Sequence, residues 1–171
     1  MGATKTTAFH SIDFAHDSLA KTLIRSSSFD PTAKSFFSWL GVTMYLSTEE
    51  VFSILRSIHD IAPAGSMVVF DYYDVQELIA ERASVNLQKK EEMMRKLGEP
   101  MKTGFEPSKL DLVISELGFL LYENLSPTGI EERYFVFGKN SYSAHKNVHL
   151  HVRSSNRFLD SYQSDSGCRP C

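Results

Sequence analysis

"SFFSWLGVTMYL" (Ser35–Leu46) carries the only tryptophan of the chain and runs straight into "STEE" (Ser47–Glu50). Its first five residues are rich in aromatics, as a buried strand requires. Gly41 then interrupts the apolar run. Ser47 and Glu50 stand three apart, the spacing of a capping box, in which a hydroxyl and a carboxylate close the start of a helix reciprocally. Strand, short turn and helix in that order make the repeating unit of a mainly parallel sheet.

The pattern continues on both sides. After the capping box, Val51, Leu55, Ile58 and Ala62 recur on one helical face until Pro63-Ala64-Gly65 ends it. "SMVVFDYYD" (Ser66–Asp74) is a continuous apolar run closing in acids, the pattern of a strand covered on both faces. Val75–Leu97 is helical and highly charged, and Gly98-Glu99-Pro100 closes it. "EPSKLDLVISELGF" (Glu106–Phe119) predicts a helix with Pro107 in its first turn, a stripe of Leu110, Val113, Ile114 and Leu117, and Gly118 at its end. Phe119–Leu125 reads as a strand, Ser126–Phe135 as one or two helical turns, and Asn147–Val152 as a last strand. Upstream, Ala8–Phe14 reads as a short strand, and Asp17 as the cap of a helix bearing Leu19, Leu23 and Ile24. Residues 1–152 thus form one α/β domain. Residues 153–171, Ser-rich and without periodicity, are expected to be a disordered tail.

Composition narrows the function. With 171 residues, 42% hydrophobic and 23% charged, the chain suits one globular domain. A formal net charge of −3 gives no basic excess for nucleic acid or an acidic membrane surface. No apolar run has the form of a signal peptide or approaches the ~20 residues of a membrane span, so a cytoplasmic protein is expected. Both cysteines, Cys168 and Cys171, lie in the last four residues and cannot staple a fold. His149 and His151 share one face of the last strand, but no Cys or carboxylate nearby completes a ligand set. An exposed strand face is expected there, and no metal.

Ligands of open parallel sheets bind beyond the carboxyl ends of the strands. Here those ends carry Asp13, then Gly41, Thr43 and Tyr45, then Asp71, Tyr72 and Asp74. Gly41 either lets the backbone approach a ligand or simply turns the chain. Tyr45 either orients a substrate oxygen or is a half-buried core tyrosine. Asp71 and Tyr72 are expected to face the mouth of a site, or to cap a strand end. The sequence singles out no catalytic residue.

Taken in order, "IDF", "FDPTAKSFFSWLGVTMYLSTEEV", "PAGSMVVFDYYD", "GEPMKTGFEPSKLDLVISELGF" and "NVHLHV" resemble the leucine carboxyl methyltransferase family. The likeness is to its bacterial branch of O-methyltransferases dependent on S-adenosylmethionine (SAM), and it spans Phe9 to Val152. It implies a class I, Rossmann-like methyltransferase fold in which "GVTMYL" and "FDYYD" border the pocket. It further implies that Asp13 accepts from the adenine amino group, that Phe14 covers the ring and that Gly41 lies on the cofactor side. Tyr45, Asp71 and Tyr72 fall on the side of a small-molecule substrate. Leu40 stands where many relatives have an acid. Relatives also carry an upstream segment with the Gly-rich turn and the ribose acid, which has no counterpart here. An incomplete, N-terminally truncated fold is therefore expected, with weak or absent SAM binding by this chain alone. The class I sheet has the strand order 3-2-1-4-5-7-6. With strands one and two missing, Ser35–Trp39 would be left as an open edge, suited to self-association or to a partner chain. A non-catalytic, partner-binding remnant is the alternative that this edge raises.

Overall fold

Met67–Tyr73 forms the strand on which the rest is assembled, in a computed structural model that describes residues 7–14, 16–78, 85–98, 100–135, 142–146 and 148–155. In chain order the elements are α1 (Leu19–Ile24), β1 (Phe36–Trp39), a 3-10 turn (Thr43–Tyr45), α2 (Thr48–Ile61), β2 (Met67–Tyr73), α3 (Val75–Leu78) and α4 (Val85–Lys96). After them come α5 (Pro107–Glu116), β3 (Phe119–Leu125), α6 (Pro127–Ile130) running into a π turn (Glu131–Phe135), and β4 (Val148–Ser155).

The sheet order is β1-β2-β4-β3. β1 lies parallel to β2, with Trp39 opposite Phe70, and β4 runs antiparallel between β2 and β3. This is the 4-5-7-6 half of the class I order, including its one reversed strand. The α/β class, the incomplete class I sheet and its C-terminal antiparallel strand are as expected; the four strands make a mixed sheet, with one parallel and two antiparallel pairings.

The helices form for the reasons legible in the sequence. Ser47 Oγ accepts from Glu50 N while Glu50 Oε2 accepts from Ser47 N, the complete capping box. α2 buries Val51, Leu55 and Ile58 against Val68, Phe70 and Tyr72 of β2. α5 adds Leu110 and Ile114 to the same core and ends before Gly118, whose φ of +83° a side chain would strain.

Two elements differ. Ala8–Phe14 is not a strand: it is irregular and mostly exposed, with Phe9 at 93% exposure. A strand needs a ladder partner for its backbone groups, and β1 pairs with β2 alone. The helix after it is capped by Ser18 rather than Asp17, through a hydrogen bond from Lys21 N to Ser18 Oγ. At the other end, β4 runs to Ser155, three residues past the expected end of ordered chain, and Arg153 lies inside the core. Residues 156–171, where the rest of the expected tail falls, lie outside the described residues, as do residues 79–84 between α3 and α4. Among the described residues, no helix is long and apolar enough to cross a membrane.

Candidate functional site

The carboxyl ends of β1 and β2 meet through hydrogen bonds between the chain that leaves β1 and one residue of β2, Asp71. Gly41, in the left-handed region at φ +74°, turns the chain out of β1. Its N–H donates to Asp71 Oδ1 at 2.7 Å. Thr43 Oγ1 donates to the carbonyl of Asp71 at 2.5 Å. The turn at Thr43–Tyr45 follows, closed by Tyr45 N to Val42 O and Leu46 N to Thr43 O. A Cβ placed on Gly41 would meet nothing within 4 Å. The glycine therefore serves the turn, and the space beside it is open.

A second segment crosses these strand ends. Met44 O accepts from Lys102 N and Thr103 N, Phe105 N donates to Tyr73 O, and Val75 N donates to Phe105 O. "MKTGF" (Met101–Phe105) is thus a strap bound to both the turn and β2. Met44, Tyr73, Tyr45, Met101 and Val148 pack under it as a small second core. Sequence reasoning assigned no role to Thr43, Tyr73 or the strap. The available signal was the "GEPMKTGFEP" motif, whose glycines and prolines mark a fixed loop between two helices.

Tyr45 is half-buried, and its hydroxyl donates to Met94 Sδ of α4 at 3.7 Å. Asp71 sits at the expected strand end. Tyr72 does not face the mouth of the site. It is fully buried in the main core, stacked on His149 and bonded through its hydroxyl to Asn124 Oδ1. Burial pushes its pKa up to about 12. The reason is the alternation of β2: Val68, Phe70 and Tyr72 share the face under α2 and α5, and Asp71 and Tyr73 take the other.

Asp13 and Phe14 lie on a turn in which His16 N and Asp17 N both donate to Asp13 O. The Asp13 carboxylate is exposed and lies 3.0 Å from His16 Nδ1. Phe14 packs against Trp39, with ring centroids 6.3 Å apart. The turn is therefore held beside the last residue of β1, close before Gly41. Phe14 also joins Leu23, Phe29, Phe36 and Ile58 in lining an apolar groove of about 460 Å³ along the free edge of β1.

His151 corrects the expected exposed histidine face. It is fully buried and stacked on Phe70, and its Nε2 accepts from Arg153 Nε. Arg153 donates onward to Asp111 Oδ1 of α5.

The fold and these strand ends define a class I SAM-dependent methyltransferase fold. A model of leucine carboxyl methyltransferase matches residues 2–59. The chain is 33% identical over 132 residues to the Bacillus subtilis (strain 168) protein named "Putative S-adenosyl-L-methionine-dependent methyltransferase YktD"; the match covers 73% of this chain and 43% of that one. The chain belongs to the leucine carboxyl methyltransferase family, and it spans less than half the length of this curated relative. Among solved structures, a DUF574 family protein from Streptomyces avermitilis MA-4680 shares the fold, with a TM-score of 0.52 and 11% identity over 74% of this chain and 46% of that one. Human N-acetylserotonin methyltransferase in complex with SAM has a TM-score of 0.49 at 12% identity, over 86% of this chain and 33% of that one.

Proposed function

We propose that the chain is the substrate-side part of a SAM-dependent O-methyltransferase acting on a small molecule. The observation that carries this reading is the junction of Gly41 and Asp71 at the carboxyl ends of β1 and β2, beside the packed pair Phe14 and Trp39. In it, Asp13, Phe14 and Gly41 take the cofactor, and Tyr45 lies toward the acceptor. SAM supplies the electrophilic methyl group. The chain's part is to hold the acceptor oxygen in line in a dry pocket. A carboxylate acceptor is already ionised near neutral pH and needs no base, whereas a hydroxyl needs one. Of the described histidines, His10 pairs with Ser26, His59 packs on Phe119, His145 on Tyr73 and His149 on Tyr72, His151 is buried, and His16 is exposed beside the Asp13 carboxylate.

Calorimetric titration of the purified chain with SAM and with S-adenosylhomocysteine (SAH) tests this. The expected dissociation constant for the chain alone is on the order of millimolar or weaker. Micromolar binding would mean that Asp13, Phe14 and Gly41 suffice. ATP binding as tightly as SAM and SAH would count against a SAM site.

One observation favours a second reading, a half that works only with another chain. Among the described residues β1 pairs on one side only, and Phe36 is 66% exposed at that edge beside the apolar groove. An open strand edge is a template for another strand. Light scattering over a dilution series reads this directly, because a chain needing a partner associates or loses cooperativity when diluted alone.

A further inference from the structure

Asp71 is the one carboxylate that reaches across from β2 to the chain leaving β1. Its Oδ1 takes the Gly41 N–H at 2.7 Å, and its main-chain oxygen takes the Thr43 hydroxyl. Both ends of Gly41–Thr43 are therefore fastened to a single residue of the neighbouring strand. The register explains how. Trp39 and Phe70 are the last directly opposed pair, so the chain at Gly41 has already turned away from the ladder. Its amide has lost the regular strand partner, and a carboxylate one residue past Phe70 takes its place. What Asp71 fixes is not local: the same turn carries Tyr45 and offers Met44 O to the strap at Lys102 and Thr103. A displaced Gly41 would move all of these together.

We propose that Asp71 is a positioning residue: its carboxylate holds the Gly41 amide and thereby sets the Gly41–Tyr45 turn, rather than taking a proton from a methyl acceptor. The ligand side of this assignment rests on the methyltransferase reading above; the structural side does not.

The two roles respond in opposite ways to Asp71→Asn and Asp71→Glu. Asparagine keeps an oxygen in place to accept from Gly41 N–H and loses the charge. Glutamate keeps the charge and moves the oxygen by one methylene. We expect Asp71→Asn to hold the hydrogen-exchange rate of the Gly41 amide within about threefold of the parent. Asp71→Glu should raise that rate by about tenfold or more, with Val42 and Tyr45 following, and Asp71→Ala should do at least as much. SAH titration followed by amide shifts should rank the variants alike, with Asn above Glu. The proposal is overturned if Glu preserves Gly41 protection and SAH affinity better than Asn. It is equally overturned if Asp71→Ala leaves the Gly41 amide as protected as before. Should the alanine variant fail to fold, the Asn and Glu pair decides alone. The exchange comparison also stands where the chain takes up no SAH, an outcome that bears on the methyltransferase reading instead.

Discussion

Arg153 and His151, two residues apart on β4, meet side chain to side chain inside the core, with Arg153 Nε donating to His151 Nε2 at 2.7 Å. The same Nε2 lies 3.2 Å from Asp111 Oδ1, and Nδ1 is buried without a hydrogen-bond partner among the described residues. Burial, and after it the Arg153 and His149 charges, push the pKa of His151 down to about 3. Asp111 faces the pair from α5, where its carboxylate takes the Arg153 guanidinium.

The sign of the pH dependence follows. The unfolded chain protonates this imidazole near pH 6.5, and the folded chain resists until about pH 3. Stability from the neutral ring is complete above pH 6.5 and is lost as pH falls through that window, by up to about 1.4 kcal/mol per unit. Urea denaturation between pH 7 and pH 5 should show the decline, and His151→Gln should flatten it. An unchanged slope in the variant would assign the acid sensitivity to other groups.

Gly118→Ala should cost about 1–3 kcal/mol from the left-handed backbone alone. The new Cβ would also stand 2.5 Å from His59 Nε2, and that ring is held edge-on against Phe119. Gly98→Ala is the control, with φ +81° but open space around the Cβ. Chemical denaturation should rank Gly118→Ala as clearly the worse of the two. Equal losses would show that the His59 contact gives way.

On the cofactor side, Asp13→Ala should weaken any measurable SAH binding by about fivefold or more, the loss of one charged hydrogen-bond partner. Phe14→Ala should do the same and also destabilise the fold, since its ring packs on Trp39. Unchanged affinity in both, measured calorimetrically, would remove this turn from the site.

For the free edge of β1, light scattering at rising concentration should show association, and Phe36→Lys should suppress it, since lysine on an edge strand blocks pairing. Hydrogen exchange on Phe36–Trp39 should be fast in the dilute chain and slow in the associated one. A strict monomer with those amides well protected would show that the edge is closed from within.

Much of the fold could be read from the chain because its determinants are local. The Ser47–Glu50 box, the stripe Val51-Leu55-Ile58, the apolar run of β2 and the Gly118 stop each act within a few residues. Asp71 and Gly41 were legible as strand-end residues for the same reason. Their hydrogen bond was not, since it joins positions 30 apart through the parallel pairing of β1 and β2. Ala8–Phe14 had a strand's composition and lacked a neighbour, which only the sheet order decides. Which face of β2 is core was also a tertiary matter. A run apolar throughout does not say which side α2 and α5 will cover, so Tyr72 was read toward the site and lies in the interior. The same holds for "HLHVR": alternation placed His149 and His151 on one face, read as exposed, and left Arg153 to the tail, whereas β4 continues and His151 and Arg153 are buried, with Arg153 paired to Asp111 of α5.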